Sequence, residues 1–350
     1  MRSATRDAEP DSGAAPHTVA RAPPEALVRG EASVALHPLL TKEYAIYTPT
    51  IAQFGTSIQR WAADRLPGGL ITGYARTGKT TAVLHWAATL LRETEGPTLP
   101  VLTLSALDRS TSPNLFWAHF LRSTGLAPWK SGDRLIRFDR AVAGLCRRAL
   151  ENPSRYLVLI IDEANNLNAL HWQQLKDLQN ELDANATRLT VISVGTHELG
   201  EARSTLTLAG DSHLTARFMV QQCAFRGLVD VDELRFVLEG YDQHSRWPAP
   251  DGPTYTEYFA PRDYAAGFRL ADYTCAIWQA MARRLPAMRG DALIEIPMAF
   301  VGMLAEHVLR NAARCELRAL LTPRALDEAL CQRNFSEHME ITQRLQREGR

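Results

Sequence analysis

The residues best equipped for chemistry stand in one octet, Gly73-Tyr74-Ala75-Arg76-Thr77-Gly78-Lys79-Thr80. Its spacing is G-x-x-x-x-G-K-[ST], the pattern of a loop that wraps phosphate groups. Glycines let successive backbone N–H groups curl around an anion without Cβ clashes. A cation and an apolar-rich run, "TAVLHWAATLL", follow directly. A helix there would bring the positive end of its dipole to the same spot. The chemistry implied is the grip of a nucleoside triphosphate. Lys79 would reach the β- and γ-phosphates and the Thr80 hydroxyl would hold Mg²⁺, with Thr81 closing the cradle.

A second pair of residues belongs to the same chemistry. Asp162 and Glu163 end the apolar run "YLVLII". A carboxylate at the C-terminal edge of a parallel strand faces the crevice where ligands bind. Asp162 would hold the Mg²⁺ through its water shell, and Glu163 would activate an attacking water. After "LTVISV" comes Gly195-Thr196-His197-Glu198. Thr196 there would sense the γ-phosphate or, alternatively, cap the next helix. In "HLTARF", Arg217 precedes the last strand of the sheet. It would either stabilise transition-state charge in a neighbouring subunit or stand in solvent. Arg314 and Arg324 are candidates for a lid arginine over the phosphates.

These side chains need a sheet and helices to hold them. "TPTIAQFGTSIQRWAADRL" places Ile51, Phe54, Ile58 and Trp61 at helical spacing, broken at Gly68-Gly69 before the short strand "LIT". A helix from "GKTTAVLHWAATLLRE" would bury Val83, Leu84, Ala87, Leu90 and Leu91. "LPVLTLS" reads as a strand and "NLFWAHFLRSTG" as a helix. A further helix would align Leu135, Phe138, Val142, Cys146 and Leu150. "YLVLIIDEAN" is continuous enough for a central strand covered on both faces. Another helix aligns His171, Leu175, Leu178 and Leu182; "RLTVISVGTHEL" and "RFMVQQCAF" supply the last strands. Alternation of this kind predicts a three-layer α/β fold on a parallel sheet. Beyond about residue 230 the pattern turns helical. Residues 240–264, rich in Pro and Tyr, read as a long loop. Pro297 opens a helix carrying Val301, Leu304, Val308, Ala312 and Cys315. The division expected is a disordered N-terminal tail (1–35), an α/β nucleotide-binding domain (36–230), an α-helical lid domain (231–335) and a C-terminal tail (336–350).

The totals set limits. Lys+Arg and Asp+Glu both number 39, so the net charge is zero and any basic surface is local. Five cysteines, an odd number without a C-x-x-C pair, point to free thiols in a reducing cytoplasm. No apolar run approaches the roughly 18 residues of a membrane span. The first residues lack the apolar core of a signal peptide.

The octet GYARTGKT, the strand LVLIIDEANNL, the segment VISVGTHEL, the box HLTARF and the helical stretch HVLRNAARCELRALLTPRAL occur in this order. Together they resemble an AAA+ ATPase of the branch that includes replication initiators. Within that branch the chain is most similar to the TnsC/TniB regulators of transposons with DDE-type transposases, over roughly residues 44–330. The resemblance implies an AAA+ P-loop fold with a C-terminal helical lid, and ATP and Mg²⁺ at Gly73–Thr81, Asp162 and Thr196. Lys79, Glu163 and a trans-acting Arg217 would be catalytic. It also implies assembly as a ring or helical filament on double-stranded DNA, with a transposase and a target-selecting adaptor as partners and no membrane. The family's DNA contacts fall near "SALDRSTSPN", which nominates Arg109, Ser110 and Thr111. Two other roles use the same parts: a nucleotide-gated signalling switch, and a replication- or secretion-associated ATPase.

Overall fold

The computed structural model describes residues 36–106, 112–286 and 295–348. The expected disordered tail and the nominated Arg109, Ser110 and Thr111 lie outside the described residues. Five strands, β1 (Gly68–Thr72), β2 (Val101–Ser105), β3 (Tyr156–Asp162), β4 (Arg188–Gly195) and β5 (Gln221–Ala224), form one sheet in the order β2-β3-β4-β1-β5. Every pairing is parallel. The C-terminal ends of β1, β3 and β4 therefore meet on one edge, which is where Gly73, Asp162 and Thr196 emerge.

Helices cover both faces, as parallel strands require. Alternate residues of β3 divide between two cores. Leu157, Leu159 and Ile161 pack with Trp117, Phe120 and Leu175. Tyr156, Val158 and Ile160 pack with Ile58, Trp61 and Trp86. The helix Pro49–Ala63 starts where sequence rules place it: Thr48 accepts from the Ile51 N–H and Pro49 occupies the first turn. The helix ends at Ala63, ahead of Gly68 and Gly69, and both glycines already belong to β1. The Trp61 ring lies so close to Gly69 that a Cβ there would come within 2.6 Å of it.

The helical stretch after the phosphate loop runs as Lys79–Ala82, a π-helical turn Val83–Ala87 and Ala88–Glu95. The inserted π turn shifts the register, so Leu84, expected inside, is 66% exposed while Trp86 is buried. On the helix Arg134–Ala149 the buried stripe is Ala141, Val142, Leu145 and Ala149, and the expected Leu135 and Leu150 face solvent.

The C-terminal third has its own core, with Tyr241, Tyr255, Phe300, Leu304 and Leu330 among its buried members. Residues 240–264 are not a long loop. They contain the turn Gly240–His244 and the helices Tyr255–Phe259 and Pro261–Ala265, and Tyr241 and Tyr255 fill the core. Asp242, fully buried, accepts from Thr256 Oγ1 (2.6 Å) and from the Leu270 and Ala271 N–H groups, which ties the segment together. The helix Met298–Asn311 stops before Cys315, which is exposed. Residues expected as a C-terminal tail form the helix Phe335–Glu348, whose Phe335 and Met339 enter the same core. All five cysteines are free. No described helix is long and apolar enough to cross a membrane.

Candidate nucleotide-binding site

The phosphate loop leaves β1 through a narrow gap. The Gly73 N–H donates to Gly195 O, and a Cβ on Gly73 would sit 2.0 Å from Phe225 O, so only glycine passes. Gly78 turns the chain into the helix at φ +107°, a left-handed conformation that side chains resist. Thr77 Oγ1 donates to Tyr74 O (2.9 Å), stitching the loop. Lys79 is only 8% exposed, and its Nζ donates to Gly73 O and Tyr74 O, both at 2.8 Å. Burial lowers its pKa, and the opposing pull of Glu163 and then Asp162 places both acids within its field. Ala75, Arg76, Thr80 and Thr81 line the same cleft.

Asp162 ends β3 buried, its Oδ1 accepting the Glu163 N–H at 3.0 Å. Glu163 adopts φ 53° and lines the cleft, exposed. Thr196 follows β4, its N–H held by Asn165 Oδ1 (3.3 Å) and its Oγ1 buried without a hydrogen-bond partner. The capping alternative does not hold for this residue, because His197 occupies the cap position of the helix Glu198–Leu208. The His197 ring leans on Tyr74 (centroids 4.0 Å apart); burial and then Lys79 lower its pKa.

The helical region closes the cleft. The Ala299 N–H, in the first turn of Met298–Asn311, donates to Arg76 O of the phosphate loop at 3.1 Å. Farther from the phosphates the wall comes from three separate segments. The Tyr44 hydroxyl donates to Glu306 Oε1 (2.9 Å) and lies 3.0 Å from the Tyr241 hydroxyl. Lys42 pairs with the other oxygen of Glu306. Burial pushes the Tyr44 phenol up to about 12 and raises that of Tyr241. The whole cleft measures about 720 Å³, within the range of small-molecule sites.

The residues fit a triphosphate and its metal. Lys79 is the desolvated cation, the loop and helix start supply N–H donors, and the orphaned Thr196 Oγ1 is a polar atom without a protein partner. Among the described residues no cluster of three or more His, Cys, Asp or Glu is ready for a metal. Mg²⁺ needs none, since it binds through one or two carboxylates together with phosphate oxygens and waters. Thr80 and Asp162 would hold it.

Arg217 stands elsewhere. It lies near the end of the helix Ser212–Phe218, where its Nη1 donates to Asn180 Oδ1 at 2.8 Å. With Arg65, Pro67, Asp183, Arg188 and His213 it lines a separate cleft of about 530 Å³. Pro67 and Arg188 mark the N-terminal ends of β1 and β4, so Arg217 is at the opposite edge of the sheet from Thr196. The eight residues of β4 separate the two edges by roughly 25 Å at about 3.3 Å per residue. Neither lid candidate lines the nucleotide cleft: Arg324 pairs with Glu328 (2.9 Å) in solvent and Arg314 lines a different pocket. Asn165, Tyr44, Tyr241 and Glu306 carry no motif. Only Asn165, three residues past Asp162, stood close enough in sequence to a recognised group to be found.

Residues 67–202 match the protein family described as an AAA domain. Among solved structures, the chain is similar to Cdc6p from Pyrobaculum aerophilum, at 16% identity and a TM-score of 0.50, over 75% of this chain and 61% of that one. The ORC2 protein from Aeropyrum pernix gives 16% identity and 0.43, over 74% and 66%. The Drosophila ORC bound to DNA gives 14% and 0.44, over 89% and 70%. The chain thus spans about three fifths of the Pyrobaculum protein's length and about two thirds of the Aeropyrum protein's. No curated protein matches it. At these identities the likeness concerns fold: an AAA+ P-loop domain with a parallel five-stranded sheet and a helical C-terminal region.

Proposed function

We propose that this chain is an ATP-driven, DNA-binding AAA+ regulator of transposition. It assembles head to tail on duplex target DNA and recruits a DDE transposase together with a target-selecting adaptor. The placement of Arg217 is the observation that carries the assembly step. Glu163, Lys79 and Thr196 share one cleft, whereas the remaining arginine of the motif set lies across the sheet from it. A site whose cation must come from another copy is complete only between subunits. Such heterologous contacts close into rings or continue as helices.

Within the cleft each residue has one task. Lys79, stripped of water, offsets charge on the β- and γ-phosphates. Thr196 donates its free hydroxyl to the terminal phosphate. Glu163 accepts a proton from the attacking water. Mg²⁺, when bound, draws negative charge from the phosphate oxygens. Arg217 of the adjoining copy stabilises charge as the terminal phosphate departs. The transposition assignment itself is supported by the resemblance of the phosphate loop, strand-end acids, VISVGTHEL and HLTARF segments to the TnsC/TniB group. With zero net charge, DNA binding falls to local basic surface and is expected to weaken as salt rises.

The test is trans-complementation. Arg217→Ala and Lys79→Ala chains should each be inactive alone, and mixing them should restore part of the ATPase rate, because one supplies the loop and the other the arginine. Arg217→Ala hydrolysing at the parent rate, or a mixture as dead as its components, would remove the shared site. Imaging with an ATP analogue and duplex DNA should show assemblies; protein that leaves DNA bare at low salt would end the transposition reading.

A further inference from the structure

The lid helix Met298–Asn311 carries a charged stripe that the nucleotide site does not use. Met303 and Glu306 face the nucleotide cleft, His307 and Arg310 continue away from it at helical spacing, and Arg314 follows in the turn after the helix. With Lys42 and Arg333 they surround a pocket of about 370 Å³. Lys42, Arg310, Arg314 and Arg333 are four full cations, and Glu306 is the single carboxylate, a surplus of three positive charges with His307 neutral. Glu306 is already satisfied by Lys42 and Tyr44.

Cations near a helix C-terminus often serve only to complement the dipole, but the bonding here does not follow that pattern. The Asn311 side chain takes the His307 carbonyl (2.7 Å), and backbone N–H groups of Ala312 and Cys315 take those of Leu309 and Asn311. The guanidinium groups of Arg310 and Arg314 make no hydrogen bond or ion pair among the described residues, and both side chains are exposed. Arg333 gives one N–H to Ala329 O (2.7 Å) and keeps the rest of its fork. Like charges are thus held around one concavity, with Glu306, already paired with Lys42, as the single counter-charge. The repulsion is visible in Lys42, whose pKa burial lowers first and Arg310 and Arg333 lower further.

We propose that this pocket is a second anion site, separate from the phosphate loop, that takes the phosphate groups of a polyanion through Arg310, Arg314 and Arg333. Guanidinium forks match phosphate oxygens in pairs, which favours phosphate over a simple halide. The source is either a polynucleotide backbone or a free polyphosphate. The inference rests on the pocket's charge and not on the transposition reading.

The test uses the full chain carrying Lys79→Ala, so that the phosphate loop no longer competes. Tripolyphosphate and a short DNA duplex are the two probes. Arg310→Ala/Arg314→Ala is compared with Arg318→Ala/Arg324→Ala, which removes equal charge from the same helical region outside the pocket. The pocket double variant should bind one probe at least about tenfold more weakly than the control. Arg310→Lys/Arg314→Lys should recover part of the loss. Weakening confined to the duplex, with the salt slope reduced by about two, identifies backbone phosphates; weakening confined to tripolyphosphate identifies a free polyphosphate. If both probes bind the two double variants alike, or bind no chain at all, there is no second site. Duplex and tripolyphosphate binding that both survive in the pocket variant sink this inference, and the surviving duplex binding leaves the transposition reading standing. Tripolyphosphate binding lost in that variant, in a chain that ignores DNA, does the reverse.

Discussion

The two ends of the nucleotide cleft are built on different principles. At the phosphate end one continuous stretch, Gly73 to Thr81, supplies backbone N–H groups and a buried lysine, and the chain's path is dictated by close approach at Gly73 and a left-handed turn at Gly78. At the far end Tyr44, Tyr241 and Glu306 come from segments up to 262 residues apart in sequence and meet only through side chains. Backbone cradles are rigid and tolerate little change of position. Side-chain walls depend on every partner being satisfied, because Tyr241 and Glu306 are buried and Tyr44 is half-buried. The phosphate end should therefore respond to substitution in binding and turnover, and the far end in stability and its pH dependence.

The largest effect is expected at Glu163. Glu163→Gln keeps the size of the side chain and removes the proton acceptor, so turnover should fall by about 10²–10⁴ with nucleotide affinity unchanged. Single-turnover hydrolysis alongside equilibrium binding checks this, and normal turnover would move the base to another residue. Next comes Lys79→Ala. A buried cation making charge-assisted contacts is lost, and ATP affinity should fall about tenfold to a hundredfold. Titration calorimetry reads it directly; unchanged affinity would mean that the triphosphate binds elsewhere. Glu163→Gln should shift the melting curve of the apo chain little, whereas Lys79→Ala also deletes the two bonds to Gly73 O and Tyr74 O that hold the loop.

The far end responds to pH. His37 precedes the segment that carries Lys42 and Tyr44, and its ring lies 4.5 Å from both Tyr255 and Tyr258 and 4.8 Å from Phe259. Nδ1 accepts the Leu39 N–H, and Nε2 is buried without a partner. Burial lowers its pKa from 6.5 to about 4. A group whose folded pKa is depressed contributes stability above its unfolded pKa and loses it as the pH falls through the window between the two. Between pH 7.5 and pH 5 the loss from His37 should be about 2 kcal/mol. Denaturant melts across that range should steepen for the parent and flatten for His37→Phe. Equal slopes would show that the aromatic pocket does not hold the neutral ring.

The same division explains what could be read without coordinates. The octet and the strand-end acids are local: each is a few consecutive residues whose geometry follows from the elements on either side. The sheet was legible for the same reason, since β3 is a run of buried residues that only a doubly covered strand can use. What stayed hidden depends on register or on distant pairing. Leu84 lies outside because the π turn at Val83–Ala87 adds a residue to the helical period. The segment 240–264 looked like a loop because its Pro and Tyr residues signal turns, whereas buried Asp242 organises it through bonds to Leu270 and Ala271 that no local pattern announces. Arg217 could be placed before the last strand, but its distance from its own cleft required the sheet order.

The smallest effect tests whether the far wall acts as one unit. Tyr44→Phe keeps the ring and deletes the hydroxyl that donates to Glu306 Oε1 and meets Tyr241. Glu306 then keeps only its pair with Lys42, and the expected cost is about 1 kcal/mol. Glu306→Gln alone should cost a similar amount, since it weakens the acceptor that both Tyr44 and Lys42 use. If the three side chains form a network, the double variant should cost less than the sum of the two, by about 0.5 kcal/mol or more. Chemical denaturation of the four chains supplies that cycle. Strict additivity would mean that Tyr44 and Glu306 stabilise the fold independently, and that the far wall is a set of neighbours instead of a coupled partner to the phosphate loop.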